Sequence, residues 1–213
     1  FRRGINYYFD NNYGGWIILF PFFNKTPLKL ICRSSKELKR ISRFGLNKKD
    51  VVWKWLNWLE EESILFDVGS GSGFEGLTAG HLHNSKVVFI EPYTPSIETI
   101  LKSIYLQKKR NNAKWEVVHA GCTDKDSYTR LGMHNIPNPG ETLNTFGSDS
   151  NNYNDGGKTN RTNIVIQQWV KGVSLDSLVF KHKLAYPDFV KIDVDGHETS
   201  VINGASELLK SNH

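Results

Sequence analysis

The stretch of residues 64–73 constrains the fold of this chain more than any other part of the sequence. It begins with a short apolar run that contains Asp67 and has the length of a buried strand. Three glycines follow at alternate positions, namely Gly69, Gly71 and Gly73. Glycine adopts a positive φ in turns and lets a ligand approach the backbone, and the next segment, residues 74–82, has helical composition. The pattern therefore predicts a strand, a glycine turn and a helix.

The spacing of the glycines indicates which kind of ligand such a turn would hold. The dinucleotide fingerprint is G-x-G-x-x-G, and Phe74 occupies the position of its third glycine. Asp67 lies two residues before the first glycine, where a carboxylate suits an ammonium group such as that of S-adenosylmethionine (SAM). Free N–H groups at the start of the following helix stabilise a carboxylate or a phosphate. A glycine turn with only a structural role is the alternative.

A second acid, Glu91, follows the predicted strand of residues 86–90, and Pro92 ends that strand. In nucleotide-binding α/β units, an acid about twenty residues beyond the turn accepts hydrogen bonds from the ribose hydroxyls. The glycine turn and this acid together favour a nucleoside site of the SAM type.

Asp124 follows a third predicted strand, residues 115–119. In a doubly wound sheet the tip of this strand lies beside the nucleoside base, so Asp124 is a candidate acceptor for the adenine amino group. A turn aspartate that caps its own loop is an equally good interpretation.

Composition excludes several classes of protein. The 213 residues suit one domain, and the net charge of +5 comes from scattered lysines and arginines, which are typical of solvated helix faces and not of a nucleic-acid interface. No signal peptide is visible in these residues and no apolar run reaches about 18 residues, so we expect no membrane span. Cys32 and Cys122 lack metal-ligand spacing and form no disulfide framework, which indicates a reduced, cytoplasmic environment.

The chain is predicted to have two parts. Residues 1–62 form strands and helices that cap the core, including a helix start with a capping box at Ser34 and Glu37. Residues 63–213 form the SAM-binding core, in which residues 133–163 are rich in Asn, Gly, Ser and Thr. A long loop of this kind is usually functional or disordered. We interpret it as a mobile lid over the acceptor, with a plain disordered insert as the alternative.

The second informative stretch is residues 188–198, where a predicted central strand ends in a polar cluster. The cluster contains Asp193, Asp195, His197 and Glu198. In open α/β sheets the ligand crevice lies outside such strand ends. Carboxylates and an imidazole crowded there can raise the pKa of a general base or hold a divalent cation. Capping of the strand end is the alternative, and a calcium loop matches only in its first two acidic positions.

With both stretches in view, the sequence resembles the FkbM family of SAM-dependent methyltransferases from about residue 28 to the C-terminus. The stretches that carry the resemblance are residues 66–73, 90–92, 173–176, 188–198 and 201–205. The block KIDVDGHE, residues 191–198, is nearly the family's signature. The family usually has Asn at the position of Gly71, and Glu is frequent at the position of Asp195.

This resemblance implies an α/β, Rossmann-like class I methyltransferase fold and O-methylation of a hydroxyl on a sugar, a polyketide or another small metabolite. Glu91 would hold the ribose, and the methionine end of SAM would be held by Asp67, Gly69, Ser70, Gly71 and Gly73. The reaction side would be lined by Asp193, Asp195 and Glu198. A strand-end acid such as Asp193 binds Mg²⁺ in catechol-type methyltransferases, although a metal is not favoured for this chain.

A complete fold of this kind continues with three more strands, and we expect these strands to be missing after the helix predicted at residues 199–210. The fourth strand would then lie at a sheet edge, where it can pair with another molecule, so a homo-oligomer is one expectation.

The candidate base is His197, because it is the only histidine of the polar cluster and an ordinary histidine pKa of about 6.5 suits proton removal near neutrality. Asp193 or Asp195, acting directly or through Mg²⁺, is the alternative. The expected partner is a small hydroxylated acceptor. Two other function classes stay open. One is a non-catalytic SAM-fold module that binds a partner; the other is a nucleic-acid methyltransferase, although the Asn/Asp-Pro-Pro-aromatic run used on base amino groups is missing.

Overall fold

An antiparallel three-stranded sheet begins the structure. The computed structural model describes residues 5–22, 25–46, 51–107, 115–133, 137, 139, 145–146 and 164–211. The first elements are β1 (Asn6–Asp10), β2 (Gly15–Phe22), β3 (Lys25–Cys32), α1 (Ser35–Leu46) and α2 (Val51–Leu56). The predicted capping box is confirmed, because the Glu37 N–H donates to Ser34 Oγ over 3.1 Å and the Ser34 N–H donates to Glu37 Oε2 over 3.2 Å.

The glycine turn lies within a parallel unit of alternating strands and helices. Its elements are β4 (Ile64–Val68), α3 (Phe74–His83), β5 (Lys86–Ile90), α4 (Thr94–Gln107) and β6 (Trp115–Val118). Strand β5 pairs in parallel with β4 on one side and with β6 on the other. Strands of a parallel sheet are buried on both faces, which is why β4 reads as an almost continuous apolar run. The predicted strand, turn and helix are confirmed.

A second, mixed sheet follows the parallel unit. Its strands are β7 (Gly121–Cys122), β8 (Ser127–Met133), β9 (Thr145–Phe146) and β10 (Ile166–Val173), in the order β7-β10-β8-β9. Strand β10 pairs antiparallel with β8 over residues 166–172, and Trp169 is exposed whereas Val170 is buried, as the alternation of a strand requires. Most of the interpreted lid, residues 133–163, lies outside the described residues, and the lid stays a prediction.

The chain then returns to the parallel sheet. After a π-helical turn at Ser177–Lys181, the strand β11 (Phe189–Ile192) pairs in parallel with β4. The parallel sheet therefore has the order β11-β4-β5-β6, in which the chain runs outward in one direction from β4 and later returns to its other side. In open α/β sheets, ligands bind outside the carboxyl ends of the strands at such a switch point. This is the Rossmann-like α/β architecture that the sequence predicted.

Helix α5 (Glu198–Asn203) and a 3₁₀ turn (Leu208–Lys210) end the described chain. The expectation of one helix over residues 199–210 is wrong. A Cβ on Gly204 would lie only 2.1 Å from the carbonyl oxygen of Thr123, so this position is fixed by close backbone contact. The carboxylate of Asp176 then accepts the N–H groups of Glu207 and Leu208 over 2.9 and 2.8 Å, which caps the second segment.

Buried apolar clusters cover both faces of the parallel sheet. Leu65 packs on the side of α3, α4 and the N-terminal sheet, whereas Phe66 faces the side of α5. The N-terminal sheet is tied to α4 by a buried hydrogen bond from the Ile31 N–H to Ser103 Oγ over 3.0 Å. Within the described residues, no helix is both long enough and apolar enough to cross a membrane.

Candidate functional site

The glycine turn has the positive φ angles that its sequence predicted. The φ angles of Gly69, Gly71 and Gly73 are +70°, +54° and +76°, a region that side chains rarely adopt. At Gly69 a Cβ would lie 2.0 Å from the carbonyl oxygen of Asp193. The turn therefore packs directly on the tip of β11, which brings the two informative stretches of the sequence together.

Ser70 holds the turn against the parallel sheet. Its hydroxyl donates to the carbonyl oxygen of Asp67 over 2.6 Å and accepts the N–H of Ile90 over 3.0 Å. Ser70 is buried, and its hydroxyl joins the ends of β4 and β5.

The carboxylate of Glu91 holds the same turn from the tip of β5. Its Oε2 accepts the N–H of Gly71 over 2.7 Å, and its Oε1 accepts the N–H of Tyr93 over 2.9 Å. Burial raises the pKa of Glu91 to about 7, although the two N–H donors act in the opposite direction.

A group of charges centred on the mostly buried Lys191 lies beside the glycine turn. Lys191 Nζ, on β11, lies 3.0 Å from Asp67 Oδ1, 3.8 Å from Glu75 Oε2 and 4.0 Å from Asp193 Oδ2. Burial lowers the pKa of Lys191, but the three carboxylates more than offset this and raise it above its ordinary value. Burial raises the pKa of Glu75 to about 7, and Lys191 only partly offsets the effect.

The carboxylate of Asp67 is paired within the protein, behind the glycine turn. Only 1% of its side chain is exposed, and its Oδ2 accepts the N–H of Gly76 over 3.2 Å while Oδ1 pairs with Lys191. This carboxylate orders the start of α3 and the tip of β4 from behind the turn.

The tip of β11 turns sharply before α5. Asp195 and Gly196 both have positive φ, +50° and +98°, and the ring of His197 meets the ring of Phe146 edge to face at 5.8 Å. Burial lowers the pKa of His197, and the carboxylates of Asp195 and Glu198 only partly offset this. His197 is therefore mostly neutral at pH 7.

A cleft of about 820 Å³, part of it open to solvent, lies at the carboxyl ends of the parallel strands. It is bounded by the glycine turn, the tips of β5 and β11, the second sheet and helix α1. The residues that line it are Arg40, Gly69, Gly71, Ile90, Glu91, Pro92, Tyr93, Gly121, Cys122, Leu131, Phe146, Asp193, Val194, Asp195 and His197.

The sequence of residues 67–213 matches a family model described as the methyltransferase FkbM domain. The chain belongs to the FkbM methyltransferase family. The match contains the glycine turn, Glu91 and the tip of β11, so the family inferred from those motifs is confirmed.

Several solved structures share local similarity with this FkbM-family chain. The cyclopropane synthase MmaA2 from Mycobacterium tuberculosis is 21% identical over 33% of this chain and 25% of its own, with a TM-score of 0.30. A precorrin-6y C5,15-methyltransferase from Geobacter metallireducens GS-15 is 22% identical over 33% of this chain and 37% of its own, with a TM-score of 0.29. The mycolic acid cyclopropane synthase CmaA1, complexed with SAH and CTAB, is 13% identical over 44% of this chain and 47% of its own, with a TM-score of 0.30. The alignments thus span a quarter to about half of those chains. No curated protein matches the sequence.

The cleft brings together six of the residues predicted to form the site of this FkbM-family chain. These residues are Gly69, Gly71, Glu91, Asp193, Asp195 and His197. The other five lie outside the lining, namely Asp67, Ser70, Gly73, Asp124 and Glu198. The part that each of these residues plays in binding or catalysis stays a prediction.

Like Asp67 and Ser70, two more of the residues outside the lining have structural contacts in this FkbM-family fold. The N–H of Asp124 donates to Ser200 Oγ over 3.1 Å, and Gly121 and Cys122 form the cleft wall beside this loop. Glu198 Oε1 accepts the N–H of Gly196 over 3.2 Å, and such backbone donors lower the pKa of Glu198 although burial acts to raise it.

Sequence reasoning missed Lys191, Arg40 and Phe146 as site residues of this FkbM-family chain. Lys191 had a detectable signal, because a lysine in the middle of an apolar central strand needs a buried partner. Arg40 and Phe146 reach the cleft from elements distant in sequence, and no local motif marks them.

No group of three or more His, Cys, Asp and Glu side chains that could hold a metal ion occurs among the residues the structure describes. The possibility of Mg²⁺ at Asp193 stays a prediction.

Proposed function

We propose that this protein is a SAM-dependent methyltransferase that acts on a hydroxyl group of a small metabolite. The observation that carries the proposal is the position of Glu91 beside the glycine turn, with both facing one cleft. Gly69 and Gly71 line the cleft without side chains, and the carboxylate of Glu91 offers acceptors for ribose hydroxyls. Membership of the FkbM family supports the same reaction class.

We assign the nucleoside of SAM to the carboxyl end of β5 and the methyl acceptor to the carboxyl end of β11. SAM supplies an electrophilic methyl group on a sulfonium when bound. Asp193, Asp195 and His197 line the same cleft just after β11, where they can orient a hydroxyl group. A base there would take the proton of the bound hydroxyl group. SAM would supply the methyl group, and its S–CH₃ bond would break to leave S-adenosylhomocysteine. Holding the hydroxyl oxygen in line would contribute several kcal/mol, on the order of 7–11 at most.

Calorimetric titration with SAM, S-adenosylhomocysteine and NAD tests the cofactor. We expect the first two to bind and NAD not to bind. A methyl-transfer assay against a panel of hydroxylated sugars and polyketides then tests the reaction. Binding of SAM without turnover on any acceptor would favour the non-catalytic binding module, and preferential binding of NAD would refute the proposal.

His197 is the base that this proposal predicts. Because burial keeps its ring mostly neutral, His197→Ala should lower turnover about 10²- to 10⁴-fold once an acceptor is known. Asp193→Asn and the exposed His182→Ala serve as comparison and control, and each is assayed with EDTA and with added Mg²⁺. A His197→Ala enzyme with the wild-type rate would show that the base is another group. We expect EDTA to have no effect, and inhibition reversed by Mg²⁺ would establish a metal.

The affinity for S-adenosylhomocysteine is expected to rise as the pH rises through about 7. Ribose hydroxyls donate to the ionised carboxylate of Glu91, so binding lowers the pKa of Glu91 from its raised value and releases a proton. Calorimetry between pH 6 and 8, in buffers of different ionisation enthalpy, measures both effects. Glu75→Gln should keep this pH dependence and Glu91→Gln should lose it, whereas an affinity independent of pH in the wild type would contradict the assigned role of Glu91.

A further inference from the structure

Helix α1 presents Arg40 to the cleft from a fixed position. The helix start is held by the capping box of Ser34 and Glu37, and Glu37 is fully buried. One turn after Arg40, the ring of Phe44 packs edge to face on Phe74 with centroids 4.5 Å apart. Phe74 is the first residue of α3, directly after the glycine turn. The aromatic contact therefore locks α1 to the element that the turn introduces.

The guanidinium of Arg40 lies against the glycine turn itself. Its Nη1 is 3.1 Å from the place that a Cβ on Gly71 would occupy, so a side chain at Gly71 would crowd the guanidinium. Within the described residues, Arg40 forms no hydrogen bond or ion pair, and its charge acts on Glu75 only through the electrostatic field. Arg40 is exposed and lines the cleft, so its donors are accessible to a ligand there.

Most of the charged side chains that line the cleft are acidic. Three carboxylates line it, those of Glu91, Asp193 and Asp195, whereas Arg40 is the only permanently cationic side chain among its described lining residues. SAM carries two positive groups, the sulfonium and the ammonium, and one negative group, the carboxylate of its methionine part. An acidic cleft suits the positive groups, and the carboxylate requires a cation.

We propose that Arg40 binds the carboxylate of the methionine part of SAM, an inference that rests on the proposed methyltransferase function. A guanidinium forms two parallel, charge-assisted hydrogen bonds with a carboxylate, a geometry that a lysine cannot reproduce. The turn predicted to hold the methionine part adjoins this guanidinium, because the Gly71 N–H donates to Glu91 and Arg40 Nη1 lies beside the Gly71 Cα. Arg40 precedes residues 67–213, so the N-terminal part completes a site that the family-matched region does not contain alone.

A matched pair of ligands tests this assignment in the full chain. Decarboxylated SAM keeps the sulfonium and the ammonium of SAM and lacks only the carboxylate. Calorimetry is performed with both ligands on the wild type, Arg40→Ala, Arg40→Lys and the control Lys39→Ala, which removes an exposed charge from the same helix without touching the cleft.

We expect Arg40→Ala to weaken SAM binding about 10- to 100-fold and to leave the affinity for decarboxylated SAM unchanged. The affinity of Arg40→Lys for SAM should lie between those of the wild type and Arg40→Ala, and Lys39→Ala should bind SAM like the wild type. If the wild type binds SAM but Arg40→Ala weakens the binding of both ligands equally, or of neither, the role of Arg40 is overturned. The proposed function would not be affected by that result. A wild type that binds neither ligand would overturn the proposed function, and the inference with it.

Discussion

Replacing Lys191 with methionine is expected to lower the free energy of unfolding by about 3–5 kcal/mol. Only 13% of the lysine side chain and 1% of that of Asp67 are exposed, so the variant leaves a buried carboxylate without its cation. Methionine fills a similar volume and adds no new polar group. The effect therefore comes from the lost charge and from the lost hydrogen bond of Lys191 Nζ to the carbonyl oxygen of Gly69. Urea denaturation followed by tryptophan fluorescence measures the change.

A double-variant cycle separates this electrostatic effect from simple loss of packing. Asp67→Asn combined with Lys191→Met removes both charges and keeps an oxygen for the Gly76 N–H, so the double variant should lose less stability than the sum of the single ones. The exposed Lys171→Met is the control and should stay within about 0.5 kcal/mol of the wild type. Additive losses in the cycle would show that the ion pair does not organise the turn.

Replacing Glu91 with alanine is expected to weaken binding of SAM by about 1.5–3 kcal/mol, or about 10- to 150-fold. The variant removes the acceptor proposed for the ribose hydroxyls and also releases the N–H groups of Gly71 and Tyr93. Both effects weaken binding, because ordering a loosened turn around a ligand costs more conformational entropy. Calorimetric titration with SAM and S-adenosylhomocysteine measures the loss.

Two further variants serve as comparison and control for Glu91→Ala. Glu91→Gln keeps one acceptor oxygen and should lose less affinity than Glu91→Ala. Glu116→Ala removes an exposed carboxylate from β6, outside the cleft, and should bind like the wild type. If a folded Glu91→Ala protein binds SAM with unchanged affinity, Glu91 is not part of the nucleoside site.

The local parts of the site could be predicted from the sequence. The alternating glycines required positive φ at Gly69, Gly71 and Gly73, and the structure has it at all three. A strand that ends in Glu91 placed an acid at the same sheet edge, because consecutive parallel strands lie side by side. Both predictions use only short-range geometry.

The parts that could not be predicted depend on contacts between distant segments. The sequence marks Asp67 as an acid before a glycine turn, but it does not show that Lys191 neutralises it from β11. It does not show that Arg40 reaches Gly71 from helix α1 either. Packing and charge pairing settle these positions, and neither leaves a periodic pattern in the sequence.

The central pairing of β4 with β11 joins residues far apart in the chain, as in the hydrogen bond from the Ile64 N–H to Asp188 Oδ2 across 124 positions. Closing so long a loop costs conformational entropy before any contact is gained, so such a pairing forms slowly. Strands β4, β5 and β6 are close in sequence and can associate first. Until β11 docks, the open edge of β4 is exposed and Asp67 lacks its cation. During synthesis the half-built sheet is therefore prone to aggregate until Lys191 has left the ribosome.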